Sequence, residues 1–235
     1  MGESIYRVMT YNIHGGLDAG HRPSLPGLSR TIGASRAGLI GLQEVECCFR
    51  RRSGLADQPA LIAARLNLDC RFAAAIDRAP LTSRGKFGNA VLSCWPILHA
   101  WQRFLPSQGE RRVLLGAQVQ GPSGCLTLST CHLGLDRRER ELQVEEVVRA
   151  IESLTGPFLL CGDFNAPPGA LELAPLFDRW REVQTARGMN LPTFPPGGAR
   201  IDFIFVSPHW EILTATVMDS PASDHLPLVA ELALP

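Results

Sequence analysis

The chain has 235 residues, enough for one large α/β domain with a full core or for two small domains. Its 23 basic residues balance its 23 acidic residues, so the net charge is zero. A strong non-specific nucleic-acid binder usually carries a basic excess, and the zero net charge therefore argues against that class of protein.

Short apolar runs bounded by turn residues recur along the chain and predict strands. In chain order they are Ile5 to Tyr11, Leu39 to Gln43, Arg71 to Ala75, Ala90 to Cys94, Val113 to Val119, Leu126 to Cys131, Phe158 to Cys161, Ile201 to Val206, Ile212 to Val217 and Leu228 to Leu232. Helical periodicity falls between them, at Gln58 to Leu66, Arg137 to Leu154 and Ala170 to Trp180. The pattern predicts an α/β fold, a four-layer α/β/β/α sandwich of two packed, mainly antiparallel β-sheets flanked by helices.

No repeat or linker divides the chain, so we expect a single domain over residues 1–235. The seven cysteines are odd in number and lack C-x-x-C spacing, and we interpret them as buried thiols in a reducing compartment. No cleavable leader and no apolar run of membrane-spanning length is present in the sequence. We therefore expect a cytoplasmic protein without a transmembrane segment, and a monomer.

The stretch PFLLCGDFNAPP places an acid and an amide directly after a buried strand. Residues i and i+2 of an extended chain project from the same face, so Asp163 and Asn165 can converge on one cation or phosphate. The alternative is an Asx turn that caps a helix beginning near Gly169.

Other apolar strands also end in polar residues. Asn12 and His14 follow the first strand, Glu44 the second and His132 the sixth, while Asp224 and His225 precede the last. Each alone could be a turn, a solvated strand end or a satisfied core residue. Asp202 is harder to explain in this way, because it lies within the apolar run IDFIFV and a buried carboxylate needs a partner. Since strand ends of a sandwich gather at one rim, these groups could share a site.

The ordered set of motifs resembles the endonuclease/exonuclease/phosphatase superfamily. It comprises Asn12, Gln43-Glu44, His132, the Gly162-Asp163-Phe164-Asn165 run, Ile201-Asp202 and Ser223-Asp224-His225. Superfamily members include deoxyribonuclease I, exonuclease III-type abasic endonucleases, neutral sphingomyelinases and inositol polyphosphate 5-phosphatases. The resemblance extends from Tyr6 to Glu231, and FGNAVLSCWPI and CHLGLDRRERELQ are most similar to the compact bacterial members.

The resemblance implies metal-dependent hydrolysis of a phosphate ester by in-line attack of water. Glu44, Asn12 and Asp224 are the implied metal ligands, and their oxygen donors favour Mg²⁺ or Mn²⁺ over zinc. His225 matches the catalytic histidine and Asp202 its buried partner.

The remaining roles implied by the resemblance concern water and phosphate. Asp163 would orient or deprotonate the attacking water, and the choice of base between Asp163 and His225 stays open. Asn165 and His132 would donate to phosphoryl oxygens. Arg112 is the expected phosphate contact, with Arg111 as the alternative. Asn89 and Lys86 complete the predicted substrate-binding residues.

Three departures from the family pattern qualify this assignment. His14 stands where exonuclease III-type enzymes carry an acid or amide, which leaves a second acidic metal ligand in doubt. Gly85 to Asn89 differ from the Gly-Tyr-Ser-Gly-like segment of those enzymes, and Cys131 replaces the usual threonine. The first two departures argue against recognition of abasic sites.

We therefore predict a phosphodiesterase acting on short nucleic-acid ends or a phospholipid head group. The alternatives are a catalytically silent phospho-ligand binding module on the same fold and an abasic-site or other DNA endonuclease. Arg84, Lys86 and Phe87 are predicted as an exposed loop that contacts substrate or is simply solvated. The run Arg50 to Arg52 could grip a polyanion or be a solvated loop, and Arg137, Arg138 and Arg140 are expected to form surface ion pairs.

Overall fold

The computed structural model describes residues 4–78 and 85–234. Two six-stranded sheets form its centre, with strand orders β11-β12-β1-β2-β4-β3 and β5-β6-β7-β8-β10-β9. The strands are β1 Ser4–Asn12, β2 Leu39–Cys47, β3 Asp69–Arg78, β4 Gly85–Ser93, β5 Ile97–Leu105, β6 Arg112–Gly121, β7 Gly124–His132, β8 Phe158–Asp163, β9 Arg181–Glu182, β10 Asp202–Val206, β11 Glu211–Val217 and β12 Leu228–Leu234. Each sheet has one parallel pair, β1/β2 in the first and β7/β8 in the second, and its other pairs are antiparallel.

Apolar side chains from the inner faces of both sheets make up the central core. Val8, Val91, Val113 and Ile204 are among its buried members. Alternation along each strand sends the next set of side chains outward, where helices cover them. The helices are α1 Leu25–Ser35, α2 Gln58–Leu66, α3 Arg137–Glu152, α4 Ala174–Phe177 and α5 Val183–Ala186. The predicted sandwich of two mainly antiparallel sheets flanked by helices is confirmed.

The outer layers form two further clusters. Helices α1 and α2 pack on the first sheet through Leu28, Ile32 and Ile62, and α3 packs on the second through Val144, Val147 and Ile151. Asp57 and Asp136 cap the N-termini of α2 and α3 by accepting from Ala60 and Glu139 N–H groups. No helix within residues 4–78 and 85–234 is long and apolar enough to cross a membrane.

Several predicted elements need correction. The helix expected over Ala170 to Trp180 is reduced to a 3₁₀ turn at Leu171–Leu173 and the four residues of α4. Helix α1 and strand β5 were not predicted. The expected surface pairing of Arg140 is wrong, because Arg140 pairs with Glu172 at 2.6 Å and both side chains are largely buried. Arg137 does pair with Glu141 on the surface, at 3.2 Å.

Candidate active site

Glu44 reaches the site through an irregularity in β2. The register of β2 against β4 shifts between Leu42 and Val45, and Glu44 takes the left-handed conformation with φ 55°. Such a bulge rotates a side chain out of the regular alternation. Gln43 consequently stays buried in the sheet while Glu44 faces a cavity. His14 (φ 49°) and Asn165 (φ 50°) are left-handed as well, and uncommon backbone conformations of this kind cluster at functional sites.

Strand register places three ionisable residues side by side in the second sheet. Asp163 ends β8 and pairs with His132 on β7 and with Asp202 on β10. Gly162 precedes it with φ 152°, and a Cβ there would lie 2.0 Å from the carbonyl oxygen of Cys131. A glycine is therefore required for the close approach that sets this register.

Asp202 and His225 form a buried hydrogen-bonded pair. His225 Nδ1 lies 2.9 Å from Asp202 Oδ2, and the residues are 5% and 1% exposed. Burial alone would lower the pKa of His225, but the nearby carboxylates of Asp202, Asp163 and Asp224 outweigh it and raise that pKa to about 10. The pair therefore holds a charged imidazolium whose Nε2 is directed towards Asp163, 3.7 Å away.

Asp163 is the hub of the polar network. Its Oδ2 accepts from Asn12 Nδ2 at 2.9 Å, and its Oδ1 accepts from the Asn165 backbone N–H at 2.9 Å. The second bond is an Asx turn, so the turn that the sequence suggested coexists with a role in the site. Burial, reinforced by repulsion from Asp202, raises the pKa of Asp163 to about 7. This carboxyl can therefore exchange a proton near neutral pH.

His132 is held as a neutral side chain. Burial, together with the positive charges of Arg112 and His225, sets its pKa well below the ordinary value. Donor groups face both of its ring nitrogens, because Arg112 Nη1 lies 3.1 Å from Nδ1 and Asn165 Nδ2 lies 3.0 Å from Nε2. A neutral ring can accept from only one of these donors. Nε2 also lies 3.4 Å from Asp163 Oδ2.

A cavity of about 420 Å³ opens over this network. It is lined by His14, Glu44, Arg50, Arg52, Phe87, Glu110, Arg112, His132, Leu135, Asp163, Asn165, Phe194, Asp224 and His225. Its size suits a small ligand or the end of a larger one.

Carboxylates on the cavity wall fit a hard divalent cation. Glu44 and Asp224 both line the cavity, where water can complete the shell that Mg²⁺ retains. Asn12 turns its amide nitrogen to Glu44 and Asp163, at 3.2 and 2.9 Å, and its oxygen accepts from the His14 N–H. In this arrangement Asn12 orients both carboxylates, and its oxygen keeps a second lone pair beside the bond from His14.

Asp163, Asp202 and His225 form a more compact cluster, with one ligand-type atom of each within 4.8 Å of the others. The 2.9 Å contact between His225 Nδ1 and Asp202 Oδ2 is a hydrogen bond, however, so that nitrogen is already engaged. This cluster fits proton handling better than cation binding, whereas Glu44 and Asp224 lie in the cavity wall.

Some predicted substrate contacts lie apart from the cavity. Asn89 is buried in β4 and donates to the Val113 carbonyl at 2.8 Å. Lys86 is within 3.9 Å of Asp77 and does not line the cavity. Phe87 does line it but belongs to β4 and is only 4% exposed, so the prediction of an exposed loop is wrong there. Arg84 lies outside the described residues. Arg111 is exposed and absent from the lining, so Arg112 is the one of these two neighbours that lies at the cavity.

The cysteines are free thiols, and only some are buried. Cys131 and Cys161 lie in the core, whereas Cys94 and Cys125 are exposed, so the prediction of buried thiols is wrong for the latter two. Sequence reasoning also missed Glu110, Leu135 and Phe194 as cavity residues. Phe194 packs against the His225 ring at 4.8 Å between centroids, and its run of prolines and glycines gave no signal of that contact.

A family model and a curated protein are similar to this chain in sequence. The family model "Endonuclease/Exonuclease/phosphatase family" matches residues 9–225. The uncharacterized protein YbhP of Escherichia coli K12 is 29% identical over 168 residues, which cover 68% of this chain and 66% of YbhP. The aligned region thus spans slightly less than two thirds of that relative.

Solved structures share the fold. A family protein from Beutenbergia cavernae has a TM-score of 0.76 at 22% identity, covering 98% of this chain and 72% of its own. One from Bacteroides thetaiotaomicron has a TM-score of 0.80 at 18% identity, with 100% of both chains covered. A mannosyl-6-phosphatase of B. thetaiotaomicron has a TM-score of 0.78 at 18% identity, with 97% and 99% covered. Because the family model covers most of the sequence, the chain belongs to the endonuclease/exonuclease/phosphatase family.

Proposed function

We propose that this protein is a divalent-metal-dependent phosphodiesterase that hydrolyses a phosphate ester by in-line attack of an activated water. The chain belongs to the family, and one of its structural neighbours is a phosphatase. Both findings support a phosphoesterase-type hydrolase. The observation that carries the finer proposal is the Asp202–His225 pair beside Asp163 in the wall of the cavity.

Asp163 is the proposed general base. Its Oδ2 lies near the Nε2 atoms of His132 and His225, at 3.4 and 3.7 Å, and it borders the cavity from which water would attack. The attacking water gives its proton to Asp163 as the new P–O bond forms, and the bond to the leaving oxygen breaks. The pKa of Asp163, raised by burial to about 7, matches that role at neutral pH.

His225 is the proposed electrostatic partner of the phosphoryl group. Asp202 occupies its Nδ1, so Nε2–H is the donor left to face the cavity. A fixed positive donor stabilises negative charge that develops on phosphoryl oxygens. Neutral His132 and Asn165 would add uncharged donors, and Arg112 a charged one.

Glu44 and Asp224 are the residues that would hold the cation, with Asn12 orienting Glu44. A bound Mg²⁺ or Mn²⁺ would neutralise charge on the phosphoryl and leaving oxygens. The oxygen donors of both residues suit those hard cations better than zinc.

A small or accessible ester, such as a short nucleic-acid end or a phospholipid head group, is the proposed substrate. The cavity of about 420 Å³ supports this proposal, and zero net charge speaks against a long phosphate track. The polar set is complete, which favours catalysis over a silent binding module. We further propose that one domain carries the whole site and that it acts as a monomer.

The test is turnover of bis-p-nitrophenyl phosphate with Mg²⁺ or Mn²⁺, with and without EDTA. We expect activity that EDTA abolishes and that His225→Ala lowers about 100- to 10,000-fold, because one change removes a donor and a charge. His209→Ala, at an exposed histidine outside the cavity, is the matched control and should retain activity. Equal activity of both variants would refute the assigned role, and no turnover with any divalent metal would favour the binding module.

A further inference from the structure

Two of the three arginines in the run Arg50 to Arg52, which follows β2, lie in the cavity wall. Arg51–Ser53 form a 3₁₀ turn, in which successive side chains point about 120° apart. Arg50 and Arg52 line the cavity and Arg51 does not, although Arg51 and Arg52 are both exposed. The run therefore presents two arginines to the same space as the proposed catalytic groups.

Local hydrogen bonds fix the shape of this turn. Gly54 N–H donates to the Arg51 carbonyl at 3.0 Å, and Leu55 N–H donates to the Arg50 carbonyl at 3.1 Å. The Ser53 hydroxyl lies 2.8 Å from the Arg50 carbonyl oxygen and also contacts Glu46 Oε2, and its single proton serves these two acceptors. The arginines thus project from a closed turn, which lowers the ordering cost of binding a ligand.

The Arg50 guanidinium is held in place on two sides. Its Nη1 donates to Glu46 Oε1 at 2.9 Å, and the Glu46 side chain is fully buried. Its Cζ lies 5.0 Å from the Phe49 ring centroid and 5.2 Å from that of Phe87. The side chain is still 33% exposed. Arg50 is therefore a rigid fork with donors directed to the cavity.

The three arginines that line the cavity differ in their ion pairs. Glu46 offsets Arg50, and Glu110 offsets Arg112 at 3.0 Å. Within residues 4–78 and 85–234, Arg52 makes no ion pair. The wall made by Arg50 and Arg52 is therefore suited to an anion.

We propose that Arg50 and Arg52 form a second anion subsite, which selects small phosphodiesters that carry a further phosphoryl group. This inference rests on the proposed function, which assigns the scissile phosphate to the groups around Asp163 and His225. The donors of two guanidinium groups match the three acceptor oxygens of a terminal phosphate better than the two of a carboxylate. Leu135 and Phe194 line the same cavity and offer apolar surface to the carbon skeleton that joins the phosphates.

Equilibrium binding tests the subsite without any need for turnover. Calorimetry would compare a non-hydrolysable bisphosphonate, two phosphonates joined by four methylenes, with butylphosphonate. We expect the bisphosphonate to bind the wild-type protein about 10-fold more tightly, since one charge-assisted contact supplies a factor of that order. Arg52→Gln should abolish this preference, and Arg50→Lys, which keeps a cation beside Glu46, should reduce it.

Arg51→Gln is the matched control, because it removes the same charge from the same turn outside the cavity. It should keep the preference of the wild-type protein. Equal affinity of the wild-type protein for both phosphonates would overturn the proposal. The same loss of preference in Arg51→Gln as in Arg52→Gln would also overturn it, since the effect would then be the general charge of the turn.

A turnover assay separates this proposal from the proposed function. The substrates are two phosphodiesters of p-nitrophenol, one with a 4-hydroxybutyl chain and one with the same chain phosphorylated at its terminal hydroxyl. Both release p-nitrophenolate, and they differ only in the second phosphate. We expect kcat/KM to favour the phosphobutyl ester about 10-fold, and Arg52→Gln to remove that ratio. Hydrolysis of neither ester, with selective bisphosphonate binding retained, would refute the hydrolase and support the subsite. Hydrolysis of both at equal rates would refute the subsite and support the hydrolase.

Discussion

Replacing Asp163 with asparagine should stabilise the folded protein while abolishing activity. Burial raises the pKa of Asp163 from 3.8 to about 7, so between those values the folded state binds a proton that the unfolded state releases. Stability from this group is therefore greatest at acidic pH and falls as pH rises towards 7. Asparagine does not ionise, so the variant does not lose this stability as the pH rises.

The size of the effect follows from the pKa difference. The penalty grows by about 1.4 kcal/mol per pH unit within that window, so it reaches at most about 4 kcal/mol above pH 7. Asparagine would turn an N–H₂ group towards Asn12 Nδ2, which now donates to Asp163 at 2.9 Å, and this lost bond offsets about 1 kcal/mol. A net gain of about 3 kcal/mol should raise the Tm by about 6–12 °C at pH 8.

Thermal unfolding in EDTA, followed by circular dichroism at pH 5 and pH 8, measures the gain without a contribution from bound metal. The gain should shrink at pH 5, where folded Asp163 is already protonated. Asp178→Asn, at an exposed aspartate, is the control and should leave the Tm unchanged at both pH values. A lower Tm for Asp163→Asn at pH 8, or an equal gain at both pH values, would show that Asp163 is not penalised by burial.

Three further outcomes are expected. Asp202→Asn should lower turnover about 100- to 10,000-fold, and the alkaline limb of its pH profile should move towards acid, because Asp202 raises the pKa of His225. Glu44→Gln should raise the Mg²⁺ concentration needed for half-maximal rate about 10-fold or more, since one anionic ligand is lost. Glu172→Gln should cost about 3 kcal/mol in urea unfolding, because it leaves the guanidinium of Arg140 buried without its partner.

Each of these outcomes has a result that would contradict it. An unchanged pH profile in Asp202→Asn would mean that the charge of His225 is not needed. Glu211→Gln, at an exposed glutamate, should leave the metal dependence as it is, and an equal shift there would remove the case for Glu44. If Glu172→Gln left the free energy of unfolding unchanged, water would have to solvate Arg140 in place of the Glu172 carboxylate.

The sheets could be predicted from the sequence where strands are buried, and not where they are exposed. Alternating or continuous apolar runs marked the buried strands. Strand β5 is at a sheet edge with Leu98 and Phe104 more than half exposed, so its pattern carried no burial signal. Helix α1 contains Gly27 and Gly33, which weaken helical propensity, and its burial against the first sheet compensates.

The sequence predicts which polar residues belong to the site, but it does not predict how their side chains are oriented. Asp202 was predicted to be buried with a partner, and the structure places it at 1% exposure against His225. The turn of Glu44 into the cavity depends on a register shift in β2, which no periodicity encodes. In the same way, which arginines of the run Arg50 to Arg52 face the cavity depends on a single 3₁₀ turn.

Strand direction explains why the polar residues converge. Each sheet contains one parallel pair, and a parallel pair brings two carboxyl ends to the same edge. In the first sheet Asn12 ends β1 and Glu44 lies at the bulge of the neighbouring β2, and in the second sheet His132 ends β7 and Asp163 ends β8. The 2.9 Å bond from Asn12 to Asp163 joins the two edges across the sandwich. Order along the chain therefore identifies the members of the site, whereas their meeting at one cavity follows from pairing that only the folded sheets display.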